Sequence, residues 1–268
     1  MTKHDEEAIR EAVRERYGSI ARDQSCGCAP STCCGDGASG PMPSNDELSA
    51  KMGYSAEERE NVPDGANLGL GCGNPHAFAS MQPGEVVLDL GSGAGFDCFI
   101  AARSVGPAGR VIGVDMTPDM ISKARENARK GEYHNVEFRL GEIENIPSAD
   151  SCIDVIISNC VINLSTNKQR VFDESYRVLR PGGRLVVSDV IATTEVPPEI
   201  RDDLDLYSSC AGGALSKEEI DKMLKNSGFV DISITPKDET RELIKEWNPD
   251  SNIEDIIVSS IIEARKPL

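Results

Sequence analysis

The stretch Val86 Val87 Leu88 Asp89 Leu90 Gly91 Ser92 Gly93 Ala94 Gly95 decides the fold. Residues 85–90 read as an apolar strand, and Gly91, Gly93 and Gly95 follow at alternate positions. Glycine permits a tight turn and lets backbone N–H groups approach a ligand closely at the start of the next helix. A dinucleotide turn asks for a small residue where Phe96 stands, so the loop suits a pyrophosphate poorly. Asp89 precedes the first glycine at the strand end, where it can take the charged amino-acid portion of a ligand. Asp115 ends the next strand, 20 residues beyond Gly95, where a carboxylate can bind a ribose diol. Together these residues favour an adenosine ligand that lacks a pyrophosphate.

Outward from this loop, strands and helices alternate. Residues 96–104 suit a helix, 110–115 a strand, and Thr117 Pro118 opens a helix with an N-cap hydroxyl and a proline at its first position. Residues 136–140, 153–158 and 184–190 supply further strands, and 167–179 a helix ended by Pro181 Gly182 Gly183. Such alternation implies a parallel, doubly wound α/β sheet. Residues 198–208 read as helical, and Ser216 with Glu219 makes a capping box for a helix that Gly228 closes. Residues 229–235 and 256–264 can add edge strands, the last antiparallel. Residues 2–20 form an amphipathic helix, with Ile9, Val13, Tyr17 and Ile20 at helical spacing, that docks on something. Residues 23–45 are rich in Gly, Ser, Pro and Cys without periodicity, a loop unless a ligand orders it.

A chain of 268 residues can bury a sizeable core as one α/β domain with a short extra region. Its 45 acidic against 28 basic residues give a net charge of −17, which repels nucleic-acid backbones and anionic lipid surfaces. Neither nucleic acid nor membrane is an expected partner. No run of about 18 apolar residues occurs, and no basic segment with an apolar stretch opens the chain, so a cytoplasmic location is expected. The nine cysteines are then metal ligands, catalytic groups or small core residues rather than disulfides.

Asp89 Leu90 Gly91 Ser92 Gly93 Ala94 Gly95, Gly113 Val114 Asp115 Met116 and Leu179 Arg180 Pro181 Gly182 Gly183 resemble successive motifs of class I S-adenosylmethionine methyltransferases, over about residues 80–190. The resemblance implies a Rossmann-like seven-stranded sheet with helices on both faces, flanked by an N-terminal helix and a C-terminal extension. It also implies a sulfonium ligand across the strand ends, with Asp115 on the ribose and Met116 against adenine. Gly141 Glu142 Ile143 fall where that family flanks the adenine after its third strand, and Asn159 falls after its fourth. Met116 also fits a core residue at a helix start, and Glu142 a solvated loop acid.

The acceptor must be read from the cysteines, because a methyltransferase fold does not name its substrate. Cys72 lies in Leu70 Gly71 Cys72 Gly73 Asn74 Pro75, Cys160 in Ser158 Asn159 Cys160 Val161 Ile162 Asn163, and Cys210 in Cys210 Ala211 Gly212 Gly213. Each is a loop-like or strand-end setting in which a thiol can be presented rather than packed, the alternative for each being a small buried residue. These strings closely resemble those of arsenite methyltransferases, and the resemblance runs from the N-terminal helix to about Leu215. It implies that Cys72, Cys160 and Cys210 bind trivalent arsenic, with Cys33 or Cys34 as a further N-terminal cysteine. Residues 1–75 would then carry the helix and part of the arsenic site, 76–190 the cofactor core, and 191–268 the rest of the sheet and site.

The chemistry suits the residue type, since trivalent arsenic is soft and thiolates are the soft ligands proteins offer. Its lone pair would attack the sulfonium methyl in line, so the chain's task is to hold two reactants roughly 3–3.5 Å apart. No general base is needed, in keeping with His4, His76 and His134, none of which sits in a catalytic string. Methylation leaves pentavalent arsenic, whose return to the trivalent state takes two electrons from protein thiols or an external thiol of glutathione or thioredoxin type. Arsenite, methylated arsenicals and that reductant are the expected partners. Cys98 and Cys152 fit small core residues. Cys26, Cys28, Cys33 and Cys34 could make a zinc site, although CxC followed by CC is an uncommon zinc spacing. Two other readings stand beside this one. A small-molecule C- or O-methyltransferase of quinone-biosynthesis type gives no reason for the three cysteine strings, and a non-catalytic arsenic sensor or sequestering protein gives none for Asp89 and Asp115.

Overall fold

A computed structural model describes residues 6–22, 43–247 and 252–268. Before the glycine loop come α1 (Glu6–Arg22), α2 (Asn45–Lys51), α3 (Ala56–Glu60), α4 (His76–Ala79) and β1 (Val86–Leu90). The alternation continues through α5 (Phe96–Val105), β2 (Arg110–Asp115), α6 (Pro118–Lys130), β3 (Val136–Leu140), β4 (Ile153–Asn159), α7 (Lys168–Val178) and β5 (Leu179–Ala192). It ends with α8 (Pro198–Arg201), α9 (Leu204–Ser208), α10 (Lys217–Ser227), β6 (Val230–Pro236), α11 (Arg241–Trp247) and β7 (Ile257–Arg265). Among the described residues the strands form a seven-stranded sheet in the order β3-β2-β1-β4-β5-β7-β6. The first five strands pair in parallel, and β7 runs antiparallel to β5 and β6. This is the doubly wound sheet expected, antiparallel C-terminal strand included.

Side chains of β1 alternate between two helical layers, as the period of a strand requires. Leu88 and Leu90 share a cluster with Val171, Phe172, Ile220 and Leu224 of α7 and α10. Val87 turns the other way, toward Phe99, Ala102, Ile121 and Ala124 of α5 and α6. Each such buried aliphatic stabilises the fold by about 1.5–3 kcal/mol. The strand order reverses where β1 and β4 lie side by side, with Leu90 opposite Ser158. Ligands of doubly wound sheets bind outside the carboxyl ends of the strands at such a reversal. Gly91 follows one of these strands and Cys160 the other. Among the described residues, no helix is long and apolar enough to cross a membrane.

Several boundaries differ from the sequence reading. The α7 helix stops at Val178, because Leu179 is already extended (φ −66°, ψ 139°) and starts β5. Ile153 pairs with Leu179 but Val155 with Arg184, so Arg180 to Gly183 bulge from the ladder instead of simply ending a helix. The single helix expected over 198–208 is two, because the Asp203 side chain accepts from the Leu206 N–H and starts a new one. Thr117 makes no side-chain cap, and its backbone N–H donates to Asp115. Capping boxes at Ser44–Glu47 and Ser55–Glu58 open α2 and α3, which the sequence reading did not assign. The box at Ser216–Glu219 and the left-handed Gly228 (φ 98°) are as read. Cys26, Cys28, Cys33 and Cys34 lie outside the described residues.

Replacing Ser216 by alanine removes the acceptor for the Glu219 N–H at 3.3 Å. We expect Ser216→Ala to lower stability by about 1 kcal/mol in urea unfolding, with an unchanged denaturant slope. An unchanged midpoint would show that the box contributes nothing.

Candidate active site

Gly91, Gly93 and Gly95 all take positive φ (72°, 51° and 96°), the conformation only glycine adopts without strain. Space is a second constraint at Gly91, where a Cβ would meet Val161 at 2.3 Å. The turn is tied to β2: the N–H groups of Gly91 and Ser92 donate to Val114 O at 2.7 and 3.0 Å, and that of Gly93 to Asp115 Oδ2 at 2.9 Å. The other oxygen of Asp115 accepts from Thr117 N–H at 2.8 Å. Ser92 Oγ is buried with no hydrogen-bond partner.

Three acids gather behind this turn. Burial pushes the Asp89 carboxyl well above the carboxylate range, and the charges of Asp97 and Asp115 push it further, while a bond from Cys98 Sγ at 3.2 Å pulls it down. Asp115 is likewise raised by burial, against the bonds from Thr117 and Gly93. Packing two further negative charges beside a buried acid favours a cationic ligand. Cys98 is fully buried as expected, and its thiol serves Asp89; Cys152 is partly buried and donates to Ala149 O at 3.0 Å.

At the same end of the sheet the three singled-out cysteines converge. The sulfurs of Cys72 and Cys160 and a carboxylate oxygen of Asp189 lie within 4.8 Å of one another. Cys210 donates its thiol to Cys160 O at 2.8 Å, and the Cys160 thiol interacts with those of Cys210 and Cys72. The neighbouring Cys210 and Cys72 thiols, and then burial, raise the Cys160 pKa well above that of a free thiol. For Cys210 the bond with Cys160 lowers the pKa, but burial and the Asp189 charge leave it raised.

Contrary to the expectation of presented thiols, all three are packed, with Cys72, Cys160 and Cys210 only 1%, 8% and 2% exposed. The physical reason is α1, whose Ile9 and Val13 close over them together with Leu164, Val190 and Tyr207. Arg10 to Thr166, Arg14 to Glu142 and Arg22 to Asp119 pin that helix down. Cys160 and Cys210 also hold positive φ (59° and 73°), a strained setting for a residue with a side chain. Such strain is maintained where surroundings over-determine it and clusters at functional sites.

The remaining sequence candidates border the two clusters. Met116 packs half-buried against the cysteine cluster, as does Tyr17 of α1, whose hydroxyl is pushed well up by burial first and then by Cys210, Cys160 and Asp115. Ile143 is in the core, and Glu142 is ion-paired with Arg14 at 2.9 Å rather than simply solvated. The Asn159 side chain is committed to protein partners: its oxygen accepts from Cys72 N–H at 3.0 Å and its nitrogen donates to Gly73 O at 2.8 Å and Tyr54 Oη at 2.9 Å. Tyr54 donates in turn to Asp97 at 2.6 Å, and His76 Nε2 stands 3.0 Å from the same carboxylate without an aligned hydrogen bond. Sequence reasoning missed this network and Asp189. For Asp189 a signal existed, a lone acid inside Val186 Val187 Ser188 Asp189 Val190 Ile191.

Residues 81–228 match the family described as Methyltransferase domain. The chain is 53% identical to an arsenite methyltransferase of Halobacterium salinarum, over all of this chain and 69% of that protein. It is 38% identical to an arsenite methyltransferase of Aquipseudomonas alcaligenes, over 83% of this chain and 62% of that one. A solved structure of an arsenic (III) S-adenosylmethionine methyltransferase from Chlamydomonas reinhardtii superposes with a TM-score of 0.64 at 32% identity, covering 85% of this chain and 75% of that chain.

Asn159 latches the loop that carries Cys72, so its removal should be read in the reactivity of that thiol. Losing about 1–1.5 kcal/mol of hydrogen bonding corresponds to roughly tenfold more frequent local opening. In Asn159→Ala, native-state alkylation of Cys72, followed by peptide mass spectrometry, should accelerate by about that factor. An unchanged rate would mean the loop is held by something else.

Proposed function

The chain belongs to the arsenite methyltransferase family, and on that premise we propose that it transfers a methyl group from S-adenosylmethionine to trivalent arsenic held by Cys72, Cys160 and Cys210. The observation that carries this reading is the meeting of three thiols from separate parts of the chain beside a glycine turn backed by Asp89, Asp97 and Asp115. Residues 1–75 contribute Cys72 and the covering helix, 76–190 the cofactor end of the sheet, and 191–268 Cys210 with the closing strands.

The acid cluster fits a ligand that carries an ammonium and a sulfonium. Asp89 answers the charged amino-acid end, and Asp115 can accept from ribose hydroxyls through the lone pairs its two N–H partners leave free. Gly91, Gly93 and Gly95 keep side chains out of the turn, with Met116, Glu142 and Ile143 on the adenine side and Asn159 steadying the Cys72 loop. Bound there, the cofactor supplies a methyl group on a positively charged sulfur.

Arsenite is a neutral trihydroxide at neutral pH, so three protonated thiols exchange for three hydroxyls and each proton leaves within a water. The raised pKa of Cys160 and Cys210 is compatible with this exchange, which needs no free thiolate and no external base. Three sulfurs then leave the arsenic lone pair directed outward, and the arsenic attacks the methyl carbon in line. The chain's contribution is position, which can be worth several orders of magnitude in rate. Returning the pentavalent product to the trivalent state takes two electrons, from an external thiol with Cys33 or Cys34 as candidate relays. A reducing cytoplasm would keep all these thiols free.

Single Cys→Ser changes at 72, 160 and 210 should each reduce transfer of labelled methyl from S-adenosylmethionine to arsenic by about a hundredfold or more. Arsenic speciation by chromatography measures it. Undiminished turnover in all three variants would end the proposal.

A further inference from the structure

Asp189 lies inside β5 and is 2% exposed. A buried carboxylate is costly unless donors surround it, and here four do. Ile162 and Asn163 N–H donate to Oδ2 at 3.0 and 3.3 Å, and the Asn163 side chain and Val190 N–H donate to Oδ1 at 2.9 and 2.8 Å. Those bonds occupy the oxygen lone pairs. Asp189 is therefore poorly disposed to be a ligand, and acts as a charge held still. Yet the same carboxylate comes within 4.8 Å of the sulfurs of Cys72 and Cys160. A fixed negative charge at that distance is complementary to positive charge. It suits a site where positive charge develops.

Methyl transfer produces such a charge. The arsenic lone pair forms the arsenic–carbon bond as the carbon–sulfur bond breaks, and the pair of the broken bond stays on the departing thioether. The positive charge that the sulfonium carried ends on arsenic, now formally pentavalent and bonded to three sulfurs and a methyl group. No proton moves. We propose that Asp189 is the counter-charge for this arsenic cation, stabilising it as it forms in the transition state. The inference rests on the arsenic reading above. Groups fixed in advance where charge will appear stabilise a transition state without reorganising, and more strongly in a dry site than in water.

Lys168 opposes Asp189 across a small cavity that both line with Asn163 and Phe172. Its ammonium favours the ionised form of Asp189 and damps the field of that acid at the sulfurs. The pair thus gives the proposal two variants of opposite sign.

Protein loaded with one equivalent of arsenite is mixed with methyl-labelled S-adenosylmethionine, and label on arsenic is followed in a single turnover. Absence of transfer in the unaltered chain would refute the arsenic reading itself, separately from what the variants report. Asp189→Asn is expected to bind arsenite within about threefold of the unaltered chain while transferring methyl roughly ten- to hundredfold more slowly. An unchanged transfer rate overturns the proposal, as does loss of arsenite binding, since Asp189 would then serve the thiols. Should the amide variant not fold, Lys168→Met decides, compared with the unaltered chain at a pH well above the titration of Asp189, which sits at about 6 and rises without the lysine: with the acid still ionised, removing the damping charge should raise the single-turnover rate about twofold or more. An unchanged or slower rate overturns the proposal.

Discussion

Parallel pairing of β1 with β4 is the constraint on which the rest depends. Because Leu90 stands opposite Ser158, the glycine turn after one strand and Cys160 after the other emerge at the same end of the sheet, at the point where strand order reverses. Asp115 ends β2 at that level, and Asp189 lies in β5 on the other side of β4. Cys72 and Cys210 then need only loops to reach Cys160. One loop is latched by Asn159, and the other turns through a left-handed Cys210.

The second theme is the burial of one sign of charge. Asp89 and Asp189 are held out of water and Asp115 is half-buried, and burial raises the pKa of each. A group whose folded pKa is raised above its unfolded value opposes folding at higher pH, so these acids lower stability at neutral pH relative to mildly acidic conditions. A fold that carries such a load at one end of the sheet is complementary to positive charge there. A sulfonium ligand and an arsenic that turns cationic are two forms of the same complement. In the proposed site both stand beside the same strand ends, so that the charge moves only a short distance between them. The covering helix α1, with Ile9, Val13 and Tyr17 against the thiols, removes the water that would screen these charges.

Much of the architecture was legible because period and punctuation agree: apolar runs of strand length, glycines after β1, the Ser216–Glu219 box and the Gly228 stop all carry local physics. The boundaries that slipped were set by tertiary pairing. Leu179 leaves its helix to pair with Ile153, and Asp203 divides a helix by capping its own successor. The boxes at Ser44 and Ser55 were equally readable, but their helices are too short to show a period. For the site, spacing alone does not bring residues 72, 160 and 210 together, and their grouping came from the resemblance of three local strings. Burial of the thiols could not be read either, since it comes from α1 folding back over them. Asp189 was visible as an acid in an apolar strand, but its nearness to two sulfurs is a property of the assembled sheet.

The most direct measurement is X-ray absorption at the arsenic edge on the arsenite-loaded chain, which counts the atoms bonded to arsenic and distinguishes sulfur from oxygen. Three sulfur neighbours and no oxygen are expected, falling to two sulfurs when Cys72, Cys160 or Cys210 is replaced. An arsenic that keeps its oxygens, or a sulfur count indifferent to all three replacements, would contradict the convergence on which everything else rests.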